Sequence, residues 1–494
     1  MVVRGTQISV RWVRIGGLYP DSDLGWHMTE EFRSCLRQLR EEAGLSLRAL
    51  GQLSSYSRSY LWDLEAGHKR PTANTARRLD QALQAGGQLA ALASAEDVAA
   101  SRPRVAEPRA HRSEPVDGLQ FASNWRQGID VAAGLWRWDV QRRDVVPGAG
   151  FAAAAFIGPA MRWLTAPFDE RPTGAGRRPV DEPDIDTIRQ VTATFRTLDN
   201  QYGGGHVREP VVRFLDAEVA PLLYGGRYNG PAGTALLSAA AETTQLAGWA
   251  AYDCGLHGLA QMYLIQALRL ALAAADRPLG AEILAAMSHQ AAYEGASVEA
   301  IDLARAASRV AEDAGVAAIS AEAAVLEAQG HAVAGDEAAC ASALDRAERT
   351  LDRADRSGDP QWIGYFDEAY LSARFGHCFA ALGRGELAER FANRSLQMDS
   401  RYVRGRQFNL VLLATAHAQT GEIEQAALVG TEAVRVASGL RSTRAVDYLQ
   451  ALADRLAPHV GLPAVRNFAD QAQPLLCGTT GARSPGPAVP RVDR

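Results

Sequence analysis

Lysine is almost absent from this chain. Of its 52 basic residues only Lys69 is a lysine; the others are arginines, which together with abundant alanine points to GC-rich coding and carries no mechanism. Cysteine is scarce as well. Cys35, Cys254, Cys340, Cys378 and Cys477 are odd in number, far apart and form no CxxC, so neither a disulfide scaffold nor a zinc site is expected, as suits a reducing compartment. Excess positive charge is missing: a net charge of −5 excludes a chain that coats nucleic acid over its whole surface, and confines any such function to one local module. Long apolar runs are missing too. The best stretch, Gly148 to Leu164, is shorter than the roughly 20 residues a membrane span needs, and Pro159 and Arg162 interrupt it. Arg142-Arg143 ahead of it is too deep in the chain for an export signal. GxGxxG, GxxxxGK[ST], HExxH and GxSxG are all absent, so no enzyme activity, cofactor or metal is expected.

What is present is length and helical patterning. At 494 residues the chain exceeds one ordinary core. Residues 1–28 lack periodicity and read as a disordered extension; Met28, followed at once by Thr29-Glu30-Glu31-Phe32, is a candidate translation start. Residues 29–92 read as five short helices. Thr29 is placed to cap the first, with Phe32, Leu36 and Leu39 as its apolar stripe and Gly44 as its stop. Ser46 caps a second helix and Ser57 a third, with Leu61 and Leu64 facing inward; a fourth spans Asn74 to Leu83, and Gly86-Gly87 precedes the last. Residues 93–118, rich in proline and mixed charge, read as a flexible linker. Four tryptophans in 119–180 argue for short helices packed on a neighbour, and 477–494 for a disordered tail.

Residues 181–476 carry a repeat. Glycines recur at 255, 295, 335, 383 and 421, spaced by 40, 40, 48 and 38. Small residues stand five after each (Ala260, Ala300, Cys340, Ala388, Ala426), twelve after (Ala267, Ala307, Ala347, Ser395, Ala433) and seven before (Gly248, Ser288, Ala328, Gly376, Ala414). Antiparallel helices approach closely only where neither presents bulk, and glycine lets the chain reverse between them. The pattern resembles the tetratricopeptide repeat, with a period nearer 40 than the usual ~34. Stripes at Ile185–Leu198 and Val211–Leu223, joined through Tyr202-Gly-Gly-Gly-His206, extend the array at one end; Tyr448–Leu456 and Val465–Leu475 close it at the other. The glycine triplet reads as a flexible interhelix loop rather than a phosphate cradle.

The stretch LRQLREEAGLSLRALGQLSSYSRSYLWDLEAGHKRPTANTARRLDQAL resembles the phage-repressor (XRE) type of helix-turn-helix: Leu50-Gly51, the Ser57 cap, the Leu61/Leu64 pair, Leu64-Glu65-Ala66-Gly67 and Arg70-Pro71 all coincide. The resemblance implies an all-α chain: a five-helix lambda-repressor-like head, a flexible linker and a tetratricopeptide-like α-solenoid. In that family the third helix enters the major groove. Carried over, Arg58 is placed to read guanine, with Ser57 and Ser59 beside it, and Trp62 and Asp63 one turn on. Lys69, Arg70, Arg48 and the Tyr60 hydroxyl are suited to phosphates, and Glu65 to backbone amides. The bland alternatives are a merely solvated Arg58 and a Trp62 packed on the linker. Leu47 departs from the glutamine many relatives carry, which removes one backbone contact. Residues 29–90 hold nine Lys/Arg against seven Asp/Glu, so one copy binds weakly and a homodimer on two half-sites is expected.

Arrays of the tetratricopeptide kind bind partners in a groove lined by the first helix of each pair. The register places Trp249, His289, Gln329, His377 and Thr415 in one row there, with Tyr252, Asp253 and Tyr293 beside it and Glu242, Glu282 and Glu322 near the helix starts. Such a set suits a peptide, small-molecule or protein effector; the alternative is satisfied histidines and a solvated glutamate face. The whole arrangement resembles actinobacterial regulators of development and secondary metabolism. It implies a cytoplasmic, nucleoid-associated regulator that acts on double-stranded DNA without a membrane. The rival is a scaffold or adaptor with an accessory head.

Overall fold

The computed structural model describes residues 27–54, 56–66, 71–93, 118–141 and 150–477. The expected extension, linker and tail therefore lie essentially outside the described residues. The chain divides into two compact units, 1–112 and 113–494, each described here by itself.

Among its described residues the first unit has five helices: α1 (His27–Glu42), α2 (Leu47–Ser54), α3 (Arg58–Glu65), α4 (Ala73–Leu83) and α5 (88–93). Helix α1 starts two residues before Thr29, which therefore does not cap it. The other caps follow the local chemistry: Ser46 Oγ accepts from Ala49 N, Ser57 Oγ from Tyr60 N and Thr72 Oγ1 from Thr75 N. Phe32, Leu36, Leu50, Leu61, Leu64, Leu79 and Leu89 form the core. Glu65, expected at backbone amides, is engaged by another helix. It receives the Arg40 guanidinium in a fork, Nε–Oε1 2.6 Å and Nη2–Oε2 2.9 Å, and so ties α3 to α1.

The second unit is an array of helix hairpins. After α6 (Trp125–Gln141), α7 (Ile157–Thr165), α8 (Glu182–Tyr202), α9 (Gly204–Phe214) and α10 (Ala220–Gly225) come six pairs. These are α11/α12 (Gly230–Asp253, His257–Ala273), α13/α14 (Arg277–Tyr293, Ser297–Ala314) and α15/α16 (Ala317–Ala334, Glu337–Asp352). Then come α17/α18 (Glu368–Ala381, Gly385–Ser395), α19/α20 (Val403–Gln419, Ile423–Ala437) and α21/α22 (Thr443–Leu456, Pro463–Cys477). All five repeat glycines lie in the turn between the helices of a pair with φ of +71° to +87°, a left-handed conformation that other residues resist. The small residues placed five and twelve after each glycine and seven before it are all buried.

Two features were not expected. Residues 174–175 (β1), 178–179 (β2) and 226–228 (β3) make a small sheet in the order β1-β3-β2, with β3 antiparallel to β1 and parallel to β2. Among the described residues, those of 119–180, where short helices were expected, include the seventeen-residue α6, and with Gly118 before them they form one packed segment. They pack on the second helices of the early hairpins: Arg269 donates to the Ala122 carbonyl (2.8 Å) and Asp169 (2.7 Å), and Gln266 to the Gly118 carbonyl (2.8 Å).

The array also closes on itself. Arg404 at the start of α19 reaches across to α8 and grips Asp199 with both Nη atoms at 2.7 Å, and Asp253 of α11 stands 3.4 Å from Nη1. Residue 441, just before α21, docks on the glycine triplet: Gly205 N donates to the Arg441 carbonyl and Arg441 N to the Tyr202 carbonyl, both 2.8 Å. A Cβ on Gly203 would meet the Arg441 carbonyl at 2.7 Å, and one on Gly204 the Ala250 carbonyl at 2.7 Å. The triplet is thus a packing seat between the two ends of the array, in place of the flexible loop expected. Ser442 and Thr443 add bonds to Asp253 and the Cys254 carbonyl, each 2.9 Å.

The clasp is buried, so its halves depend on each other. Burial pushes the Asp199 carboxyl up while Arg404 pulls it down. Arg404→Leu should cost about 3–5 kcal/mol in urea unfolding of the full chain, because it strands a buried carboxylate. Adding Asp199→Asn should recover part of that loss; equal loss in single and double variants would reject the clasp.

Candidate functional site

In the first unit the local sequence aims one helix surface outward. Leu61 and Leu64 are fully buried, so the opposite side of α3 turns away from the core: Arg58 and Ser59 are exposed and Trp62 is 52% exposed. Ser57 is also exposed, its hydroxyl 3.2 Å from that of Ser59. Asp63 is half-buried, and Arg48 on α2 is exposed. Tyr60 departs from the expected phosphate role. Its ring packs 5.2 Å from that of Tyr56 and its hydroxyl is 3.5 Å from Thr75 Oγ1, so it is directed at the α4 side of the domain. Lys69 and Arg70 lie outside the described residues. Gly51 is buried and accepts from Tyr56 N at the turn between α2 and α3.

This geometry is what helix-turn-helix domains share: a short turn, a capped second helix and an outward polar face that lies along the major groove. Residues 31–93 match a family model described as a helix-turn-helix domain. The head is a helix-turn-helix domain. No curated protein matches the chain.

In the second unit the first helices of successive hairpins, with α8, enclose a cavity of about 1250 Å³ including its open mouth. Trp249, Glu282, His289, Glu322 and His377 line it. Glu242 stands at its edge, bound by the lining Arg196 at 3.2 Å, and Gln329 accepts from the lining Arg374 at 3.1 Å. Tyr252, Asp253, Tyr293 and Thr415 are not among the lining residues. Tyr252 and Asp253 are buried in the packing behind the wall, where Asp253 accepts from Gly204 N at 2.8 Å, and Tyr293 donates to Asp447 at 3.0 Å. Ring closure accounts for the difference: α21 packs over the ends of α11 and α13 and covers what an open groove would expose.

Sequence reasoning missed the arginines. Arg196, Arg374, Arg404 and Arg444 all line the cavity, as do Tyr365, Tyr370, Phe408 and Tyr448. A signal existed for two of them, since Arg404 and Arg444 stand forty residues apart, each second in the first helix of its pair. Arg444 is 3% exposed, and its guanidinium lies against Tyr252 (4.3 Å to the ring centroid), Phe408 (4.9 Å), Tyr293 (5.4 Å) and Trp249 (5.7 Å).

The electrostatics follow from burial. His377 is driven down to about 3, and His289 well below its ordinary value, by burial first and then by the Arg374 and Arg444 charges. A neutral His289 lets Nδ1 accept from the Tyr252 hydroxyl at 3.0 Å. At the other end of the helices Tyr365 bridges two carboxyls, 3.0 Å from Glu282 and 2.9 Å from Glu322. Burial raises both carboxyls toward the protonated form, and their mutual repulsion lifts Glu282 further. Among the described residues, Glu389, His417 and Glu422 are grouped, with His417 Nδ1 2.8 Å from Glu422 Oε2. No described helix is long and apolar enough to cross a membrane.

A carboxyl raised in the fold stabilises it below its unfolded value and ceases to do so as pH climbs through the raised value. Glu282→Gln keeps the hydrogen bonds without the titration. Its melting temperature should therefore fall less than the wild type's between pH 6 and pH 9, and parallel melting profiles would show that the Glu282 carboxyl is not raised.

Proposed function

We propose that the chain is a cytoplasmic, sequence-specific transcriptional regulator. Its helix-turn-helix head binds double-stranded operator DNA, and its tetratricopeptide-like array binds an effector and mediates homodimerisation. Control of development or secondary metabolism fits the resemblance to actinobacterial regulators. The observation that carries the reading is the outward display of Arg58, Ser59 and Trp62 on the Ser57-capped α3. Arg58 takes guanine O6 and N7 as a fork, Ser59 accepts either base pair, and Trp62 packs on a thymine methyl or a sugar. The small excess of basic residues in the head favours two copies on paired half-sites over one. A non-enzymatic sensing role for the array is part of this reading, and the enclosed cavity with its mixed aromatic and polar lining supports it. An effector acts by favouring one dimer arrangement over another.

The same near-neutral head supports a second reading, an adaptor that works through protein contacts. A gel shift on the promoter of its own gene separates the two. Binding that weakens with added salt is expected, with Arg58→Ala costing about 1–3 kcal/mol of specific affinity. No binding at low salt would leave the adaptor.

A further inference from the structure

A buried guanidinium normally spends its N–H groups on fixed acceptors. Arg444 does not. Its Nε and Nη1 are buried and have no hydrogen-bond partner, although its side chain lines the cavity. The nearest carboxylate oxygen it is paired with, Asp253 Oδ1, is 3.8 Å away and already accepts from Ser442 at 2.9 Å. Four aromatic rings hold the guanidinium in place, so it is positioned without being satisfied. Glu282, 6% exposed, repeats the pattern in the opposite sense: Oε1 receives Tyr365, and Oε2 is buried without a partner.

The two open groups lie at different heights. Glu282 and His289 are seven residues apart on α13, two helical turns or roughly 10 Å. The His289 ring is 5.4 Å from that of Trp249, which in turn faces Arg444. Between the two heights the wall includes Leu246, Ala285, Ala286 and Leu326. Of the three further guanidiniums in the lining, Arg404 is held by Asp199 and Arg196 by Glu242, and Glu282, Glu322 and Asp367 line the same space, so an anion is favoured at Arg444 in particular and not by the interior as a whole.

Resting on the effector reading of this cavity, we infer that its ligand is a small organic carboxylate. The carboxylate is gripped by Arg444, and a hydrogen-bond donor further along the ligand is received by Glu282, at the other height of the cavity. The planar fork of an arginine matches a carboxylate in geometry as well as charge, and the apolar wall between accepts a hydrocarbon or aromatic middle. A short peptide with a free C-terminus and an ω-amino acid share this chemistry.

Calorimetric titration of the full chain tests the assignment with four probes, 8-aminooctanoate, octylamine, a mixture of unmodified tripeptides and the same tripeptides as C-terminal amides, with octanoate added as a control for the Glu282 contact. One or both acid probes should bind, telling the two sources apart, and the amine and amides should bind at least tenfold more weakly. Arg444→Gln should lose that preference, Arg444→Lys should keep part of it, and Glu282→Leu should weaken 8-aminooctanoate more than octanoate; melting curves verify that each variant is folded. If amine or amide binds as tightly as acid, and Trp249→Ala weakens both, the cavity is an effector site and the carboxylate assignment falls alone. If no probe binds, the carboxylate assignment fails; the effector reading fails with it only if the operator affinity of the Trp249→Ala and wild-type chains also responds identically to extracts of the producing cell.

Discussion

The interior of the second unit exists because Arg404 holds Asp199 across the ring. A row of helix hairpins joined only to its neighbours would leave a concave face open to water, and the residues on that face would be solvated. The Arg404 fork, together with the docking of residue 441 on the glycine triplet, brings the last hairpin onto the first. That contact turns a groove into a cavity. The unusual properties of the cavity follow: histidines and carboxyls pushed toward their neutral forms, and a guanidinium that faces rings more than acids.

Two opposing effects meet there. Burial disfavours charge, which is why His289, His377, Glu282 and Glu322 all shift toward their neutral forms. Arginine cannot follow them, because its guanidinium stays protonated at any ordinary pH. The interior therefore keeps its positive charges and sheds much of its negative charge. A chain whose basic residues are arginines with a single exception is suited to this arrangement, since a lysine at position 444 could lose its proton on burial.

The repeat was legible because packing writes a periodic constraint into the sequence. Gly255, Gly295, Gly335, Gly383 and Gly421 and the small residues around them had to be where they are for helices to meet. The head was equally legible, since Ser57, Leu61 and Leu64 report a cap and a core within a few residues of each other. Ring closure was not legible. Asp199 and Arg404 are far apart in the chain and share no local pattern, and nothing near either residue reveals the other. The displacement of Tyr252, Asp253 and Tyr293 into the packing follows from that one missed contact. Glu65 was misassigned for a related reason: its partner, Arg40, belongs to another helix. The glycine triplet shows the same limit, for a run of glycines looks alike whether it is loose or pressed against another backbone.

Linear repeat arrays lose order from their tips, because each terminal unit is supported on one side only. Here α21 and α22 are supported by α20 behind them and, through residues 441–443, by the opening of α9 and the end of α11. The last hairpin is therefore no spare cap that could be trimmed to shorten the array. Removing it would uncover Asp253, the seat at Gly203–Gly205 and one wall of the cavity together. A ring of this kind has no outermost repeat from which unravelling can begin.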